Sequence, residues 1–458
     1  MMARKKLFGM GALIFMLAPV LMGCGNNENG DSGDKVTLKV AVDVTKTEVN
    51  IIEHLIKSFE KENKDISLKV VKITQGYDSY IQKNFDQGKV KSTIADIISV
   101  YDYNSEYWTS MNLFKPLTSY MDRDGIRESD YVSSMFDLGK SGQEGDNNFY
   151  WLPRDYNKVV VCYNTEIFEA AGIQKPSNDW TMEDFNNTCK TLLEKKDVIK
   201  AKTGTYDFWP AEMNIKWTPV YYPWIKSYGG DFLAEDGTMF KNPDTVKNSV
   251  LSLLHYADAT NGKKYQGLGY SNPIGQSSDQ ANFVNKKAAM TFTVRPNVKS
   301  FADSLKNKID FVSLPKITDN KGNTSYIGAG CTGYGITAGC LDEKIDAAWK
   351  FLKYVVSKEG QEVLGETGSG VPVLESLLND ENAKWNNFIS KDLNHAAFTA
   401  FPERDLSMNY VHGFKLSKQL TVYKELKDNF IYSMYNTNDR TSEFNAFKSK
   451  IDTVLAKN

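Results

Sequence analysis

Ile94-Ala95-Asp96-Ile97-Ile98-Ser99-Val100 is a nearly continuous apolar run, the pattern of a strand buried on both faces in a parallel sheet. Upstream of it, Val36 to Val42 and Ile66 to Ile73 alternate apolar and polar as strands do. Between those two, Val49, Ile52, Leu55 and Phe59 recur at helical spacing, and Tyr77 to Phe85 reads as a second helix. Strand, helix, strand, helix, strand is the signature of an α/β layer structure. Ligands of such sheets bind beyond the carboxyl ends of the strands. That rule places Thr45, Lys46, Gln75 and Tyr101-Asp102-Tyr103-Asn104 along one edge of a cleft.

Downstream, Phe149 to Pro153 and Val159 to Tyr163 read as strands, and the polar joint Arg154 to Lys158 between them reads as a hinge that also offers ligand contacts. Thr181 with Asp184 forms a capping box for a helix over Met182 to Leu193. Glu235-Asp236-Gly237 marks a tight hairpin turn. Ala288 to Val294 and Ile309 to Leu314 are further strands, Asp342 opens an amphipathic helix, and the last hundred residues read as mostly helical.

The chain has 458 residues, too many for one core, and 41% apolar side chains, which suits globular domains. Its 55 Lys and Arg against 57 Asp and Glu give a net charge of −2. Loss of Arg4, Lys5 and Lys6 with a leader takes that to about −5, so a nucleic-acid surface is excluded. His54, His255, His395 and His412 are scattered without metal-ligand spacing, and no metal or cofactor is expected. Asp122-Arg123-Asp124-Gly125 with Glu128 lacks the spaced acids of a calcium loop. Gly328 to Gly333 matches GxGxxG, but a strand-like stretch follows where a dinucleotide site needs a helix. Cys331 and Cys340 could bridge, and spacing alone leaves that open.

Arg4, Lys5 and Lys6 precede an apolar run from Leu7 to Met22, which is the layout of an export signal over residues 1–23. Leu21-Met22-Gly23-Cys24 resembles the lipobox of bacterial lipoproteins, and that resemblance implies lipidation at Cys24. Residues 24–35 then form a polar tether, which holds a soluble body outside the cytoplasmic membrane.

Aromatics are abundant, with 24 Tyr, 24 Phe and 8 Trp, and several sit beside turn residues rather than in core periodicity. Flat apolar rings beside polar groups suit pyranose C–H faces and their hydroxyls.

Several segments, in order, carry a likeness. They are Ala95 to Val100 with Leu113 to Leu117; Tyr150 to Pro153, Tyr163 to Phe168 and Trp180 to Phe185; Ser227 to Asp231; Phe283 to Met290; and Ala348 to Leu352 with Ser357 to Gln361. In that order they resemble the extracellular solute-binding proteins of carbohydrate ABC importers, the group that includes maltose-binding protein. The resemblance implies a two-lobe periplasmic-binding-protein-like α/β fold of type II, with a ligand between the lobes. It also implies an ABC permease as partner and a monomer. On this chain it places lobe 1 at 36–156 and 310–338 and lobe 2 at 157–309 and 339–458, with crossings near Asn157, Ile309 and Ala338.

Candidate ligand-binding residues are Lys46, Tyr101, Asp102, Tyr103 and Asn104 at the first strand ends, and Arg154 and Asp155 at the hinge. In the second lobe they are Trp209, Trp217, Tyr221, Trp224 and Arg295, with Gly330, Thr332 and Tyr334 from the glycine-rich segment. Arg295 stands near a position where relatives present an aromatic ring, and a guanidinium there suits an acidic sugar or a phosphate as well as hydroxyls. The expected activity is non-covalent capture of a sugar or oligosaccharide, not catalysis. Two alternatives stay open: the same fold taking an acidic or non-sugar solute, and an exported glycosidase with Asp102 facing Asp155 across a cleft.

Overall fold

The computed structural model describes residues 35–205, 208–259, 265–275, 281–318 and 322–457. The leader, Cys24 and all of the tether except Lys35 lie outside the described residues.

Three sheets organise the chain. In the first, the strands run in the order Ile66–Ile73, Val36–Asp43, Ile97–Tyr101, Thr332–Ile336, Leu152–Pro153. The first three are parallel, with Val36 opposite Ile66 and Val40 opposite Ile97, while Thr332–Ile336 runs antiparallel to Ile97–Tyr101. The second sheet has the order Ile309–Ser313, Val160–Asn164, Ala288–Thr293, Trp209–Glu212. A linking sheet lies between them, ordered Val371–Pro372, Asp155–Lys158, Ile327–Gly330, Asp405–Ser407.

The decisive apolar run is buried along its length except at the Tyr101 end, yet its ladder begins at Ile97 rather than Ile94. Asp96 explains the delay: its carboxylate accepts the Lys39 backbone N–H at 2.8 Å and replaces a strand bond with a side-chain one. The helix Lys46–Glu62 follows the first strand as its spacing predicts, capped by Thr45, whose hydroxyl accepts from Glu48 N. The capping box of Thr181 and Asp184 is present. The hairpin of Asp231–Leu233 and Met239–Lys241 turns at Gly237, where φ is 80°.

The chain threads all three sheets without interruption. Leu152–Pro153 lies in the first, Asp155–Lys158 in the linking sheet and Val160–Asn164 in the second. It returns through Ile309–Ser313, Ile327–Gly330 and Thr332–Ile336. The polar joint is therefore itself a strand. Lys158, fully buried there, pairs with Asp405, two strands over in the same sheet, and donates to Ala400 O at 2.6 Å.

The lobe boundaries differ from the expected ones. Ile309–Ser313 belongs to the second sheet, so the return crossing is at residues 327–331 and not at Ile309. The helices Asp342–Val356 and Lys358–Glu366 pack on the first sheet and on Lys46–Glu62, so they belong to lobe 1 rather than lobe 2. The last passage to lobe 2 runs between Pro372 and Asp405, and the helices Leu416–Glu425 and Arg440–Ala456 join the second core. The stretch 367–415 is less helical than expected: its helices, such as Glu375–Leu378 and Lys384–Asn387, are single turns set among bends and short strands. Cys162, Cys189, Cys331 and Cys340 are all buried and unbridged, so Cys331 and Cys340 do not pair.

Candidate functional site

The carboxyl end of Ile97–Tyr101 and the first turn of Lys46–Glu62 face the second lobe across a cavity of about 390 Å³. Lobe 1 supplies Thr45, Thr47, Glu48, Tyr101, Asp102 and Tyr103. The linking sheet supplies Asn157 and the run Gly328 to Thr332 as a floor. Lobe 2 supplies Trp217 and Pro219 at the start of the helix Thr218–Ser227, then Val294, Pro296 and Asn297 after the strand Ala288–Thr293, and Met408.

Asp102 is the charged group most altered by this setting. It is buried, its Oδ2 accepts Cys331 N at 3.3 Å, and burial pushes its carboxyl up to about 7. Gly330 makes room for it, because a Cβ at Gly330 would collide with Asp102 Oδ2. The glycine is therefore a steric requirement of the carboxylate, not a turn.

Arg154 and Asp155 lie beneath the floor. Arg154 donates to both Glu48 oxygens, at 2.9 and 3.1 Å, and to Asp155 and the Tyr334 hydroxyl at 3.0 Å each. Asp155 in turn accepts from Thr332 N at 2.9 Å and Asn157 Nδ2 at 2.8 Å. With these partners Arg154, Asp155 and Tyr334 are buried and form none of the cavity wall. Of the charged residues in the cluster, Glu48 is the one that reaches it.

Of the expected contacts, Tyr101, Asp102, Tyr103, Trp217, Gly330 and Thr332 come together on the cavity. Others do not. Asn104 is buried under its helix beside Asp78. Tyr221 donates to Leu426 O at 2.8 Å and Trp224 to Ser249 O at 3.0 Å, both inside the second core. The helix Thr218–Ser227 points its N-terminus at the cleft, so Trp217 at its cap and Pro219 in its first turn reach the cavity while Tyr221 and Trp224 do not. Trp209 is half-buried in the second sheet, paired opposite Ala288. Lys46 opens its helix, but its side chain lies outside the described residues.

Arg295 is the clearest departure. It is fully buried, and it donates to Gly368 O at 3.2 Å, Trp385 O at 2.7 Å and His395 Nδ1 at 2.9 Å, with its guanidinium 5.2 Å from the Phe398 ring. Burial, then the charge of Arg295, push His395 down to about 4, so the imidazole is neutral and can accept. This arginine fastens the second lobe to the 368–398 stretch and gives no hydrogen bond to the cleft.

Sequence reasoning missed Thr47, Glu48, Pro219, Asn297 and Met408. Extending the strand-end rule one helical turn past Thr45 would have found the first two. Met408 carries no signal of its own type, because distant pairing of Asp405–Ser407 with Ile327–Gly330 brings it in. Among the described residues no cluster of His, Cys, Asp or Glu could hold a metal ion.

Residues 54–394 match the model of a family described as bacterial extracellular solute-binding protein. The chain belongs to that family. The multiple sugar-binding protein of Streptococcus mutans is 22% identical over 82% of this chain and 85% of its own length. The galactooligosaccharide-binding protein of Bacillus subtilis is 23% identical over 80% and 81%. Among solved structures, an ABC substrate-binding protein from Listeria monocytogenes in complex with cycloalternan superimposes with a TM-score of 0.69 at 18% identity, covering 93% of this chain and 100% of its own. UgpB from Mycobacterium tuberculosis in complex with glycerophosphocholine gives 0.69 at 16% identity, covering 92% and 98%. The fold is thus the two-lobe periplasmic-binding-protein fold. The family is extracellular, and among the described residues no helix is long and apolar enough to cross a membrane.

Proposed function

We propose that this solute-binding protein captures a sugar or short oligosaccharide in the interlobe cavity and presents it unchanged to an ABC-type permease. The observation that carries the reading is the composition of the cavity wall. Tyr101 and Trp217 offer apolar ring surface and Tyr103 its edge, and Thr45, Thr47, Asp102, Asn157 and Asn297 offer hydroxyl, carboxylate and amide groups at their margins. The sugar-binding relatives support the same class of solute. A solute that touches both lobes selects the closed form, and closure is what a permease would recognise.

Reversible capture fits better than hydrolysis. Asp155, the second carboxylate a glycosidase would need, is held by Arg154 and Thr332 N below the floor. The acidic-solute alternative loses its motive with Arg295 engaged elsewhere. The resemblance of Leu21 to Cys24 to a lipobox supports a lipid anchor at Cys24 that tethers the chain to the outer face of the cytoplasmic membrane, and the resemblance to carbohydrate-binding proteins of ABC importers is what favours a monomer.

Isothermal titration of the purified chain against a broad panel of neutral and acidic glycans tests the reading. Saturable binding of at least one neutral sugar, unmodified after incubation, is expected. No heat with any sugar, or turnover of a bound one, would refute it. For the anchor, Cys24→Ser should release the chain into the medium.

A further inference from the structure

Two chambers between the lobes are lined by described residues. Beside the cavity described above lies a second of about 540 Å³, lined from lobe 1 by Ser105 and Glu106 and from lobe 2 by Tyr222, Tyr410 and His412. The helix Asp102–Ser110 borders both: Asp102 and Tyr103 face the first chamber, Ser105 and Glu106 the second. The segment after Asp405–Ser407 does the same, with Met408 on the first and Asn409 and Tyr410 on the second.

A ladder of tyrosine rings occupies the boundary. Tyr101 stacks on Tyr103 at 5.4 Å between ring centres, Tyr103 on Tyr423 at 4.7 Å with the planes 6° apart, and Tyr423 on Tyr410 at 5.7 Å. Tyr423 comes from the helix Leu416–Glu425 of the second lobe, is buried, and lines neither chamber. It stands between Tyr103, which faces one chamber, and Tyr410, which faces the other. A ring face of Tyr103 that could stack on a further sugar unit is thus covered by a residue of the opposite lobe. Across the second chamber the lobes are also tied by Glu106, which receives His412 Nδ1 at 2.8 Å and Asn409 Nδ2 at 3.3 Å.

We propose that Tyr423 sets the length of solute this protein accepts, by closing the passage between the two chambers. The inference rests on the sugar-binding reading above. The first chamber, at about 390 Å³, is near the small end of the ~300–1,000 Å³ range of small-molecule sites. A short solute fills it. Further units meet the Tyr103–Tyr423 stack, which costs aromatic contact between the lobes to open.

Calorimetric titration with a homologous gluco-oligosaccharide series, and with a galacto-oligosaccharide series, from the monosaccharide to the pentasaccharide, tests this on the full soluble chain. The wild type is expected to bind short members and to gain nothing, or lose affinity, as units are added. Tyr423→Ala should weaken short members several-fold and shift the long-to-short affinity ratio at least tenfold toward long ones. Tyr423→Phe, which keeps the stack, should behave as wild type. Affinity that climbs steadily with length in the wild type overturns the inference without any variant. So does a Tyr423→Ala variant, shown folded by its thermal midpoint, that changes all lengths equally or not at all. A wild type that binds no member of any glycan panel refutes the sugar reading itself, and the inference falls with it.

Discussion

Arg154 holds Glu48 with both terminal nitrogens, at 2.9 and 3.1 Å, and so pins the first turn of the helix Lys46–Glu62 to the strand by which the chain leaves the first lobe. Glu48 also forms part of the cavity wall. The pairing therefore links cleft shape to the hinge, although Arg154 itself has no face on the cavity.

Removing that cation leaves the Glu48 and Asp155 carboxylates buried together without their counter-charge, and Asp155 keeps only its bonds from Thr332 N and Asn157 Nδ2. Breaking a buried ion pair from one side costs ~3–5 kcal/mol. Arg154→Met is expected to lower unfolding stability by about that amount, read as a clear drop in the urea midpoint. A drop under ~1 kcal/mol, the value of an exposed pair, would contradict the buried cluster.

Gly330→Ala tests the steric role of the glycine. The added methyl meets the Asp102 carboxylate, which must swing away from the floor. Affinity for the solute should fall at least tenfold while the thermal midpoint changes by only a few degrees. Undiminished binding would show that the Asp102 position is irrelevant to the site.

Asp102 also predicts a pH dependence. Its folded carboxyl is pushed up to about 7 by burial, whereas in the unfolded chain it returns to ~3.9. Its contribution to stability is full below the unfolded value, declines as pH rises through the folded one, and is flat beyond. Asp102→Asn removes this loss, so the variant should gain on the wild type by a few kcal/mol between pH 4 and 8, seen in paired urea titrations. A solute hydroxyl donating to Asp102 prefers the carboxylate, so wild-type affinity should rise across pH 7 and the variant's should not. Parallel curves for both proteins would contradict the assignment.

Arg295 should behave as a structural residue. Arg295→Met leaves the carbonyls of Gly368 and Trp385 without their donor, a loss of ~1–3 kcal/mol for each buried group left unpaired. Calorimetry on neutral and acidic solutes should show the same small change for both. Selective loss of an acidic ligand would return Arg295 to the cleft.

The parts of this fold legible in the sequence are those fixed by local pattern. Val36 to Val42 and Ile66 to Ile73 alternate because one sheet buries them, and Thr181 with Asp184 needs only its own helix. The strand-end rule reached Tyr101, Asp102 and Tyr103 for the same reason: a strand and the turn after it are neighbours in sequence. Arg154 was legible as a polar residue at a hinge and Arg295 as one at the end of a strand, but neither as a buried one. Their partners stand about a hundred residues away, at His395 and Glu48, and no periodicity encodes such pairings. Val371–Pro372 and Asp405–Ser407 are too short to show an alternating pattern, so the third passage between lobes was misplaced. Tyr221 and Trp224 have the right chemistry for a sugar, but the direction of their helix carries them away from it.

A crystal structure of the chain with the tightest-binding sugar tests the central claim most directly. Density for the sugar is expected between Trp217 and the Tyr101–Tyr103 edge, with a hydroxyl on Asp102 and the backbone at Gly330 close beneath it. A sugar seated only in the chamber beside His412, or on the outer surface of either lobe, would contradict the account.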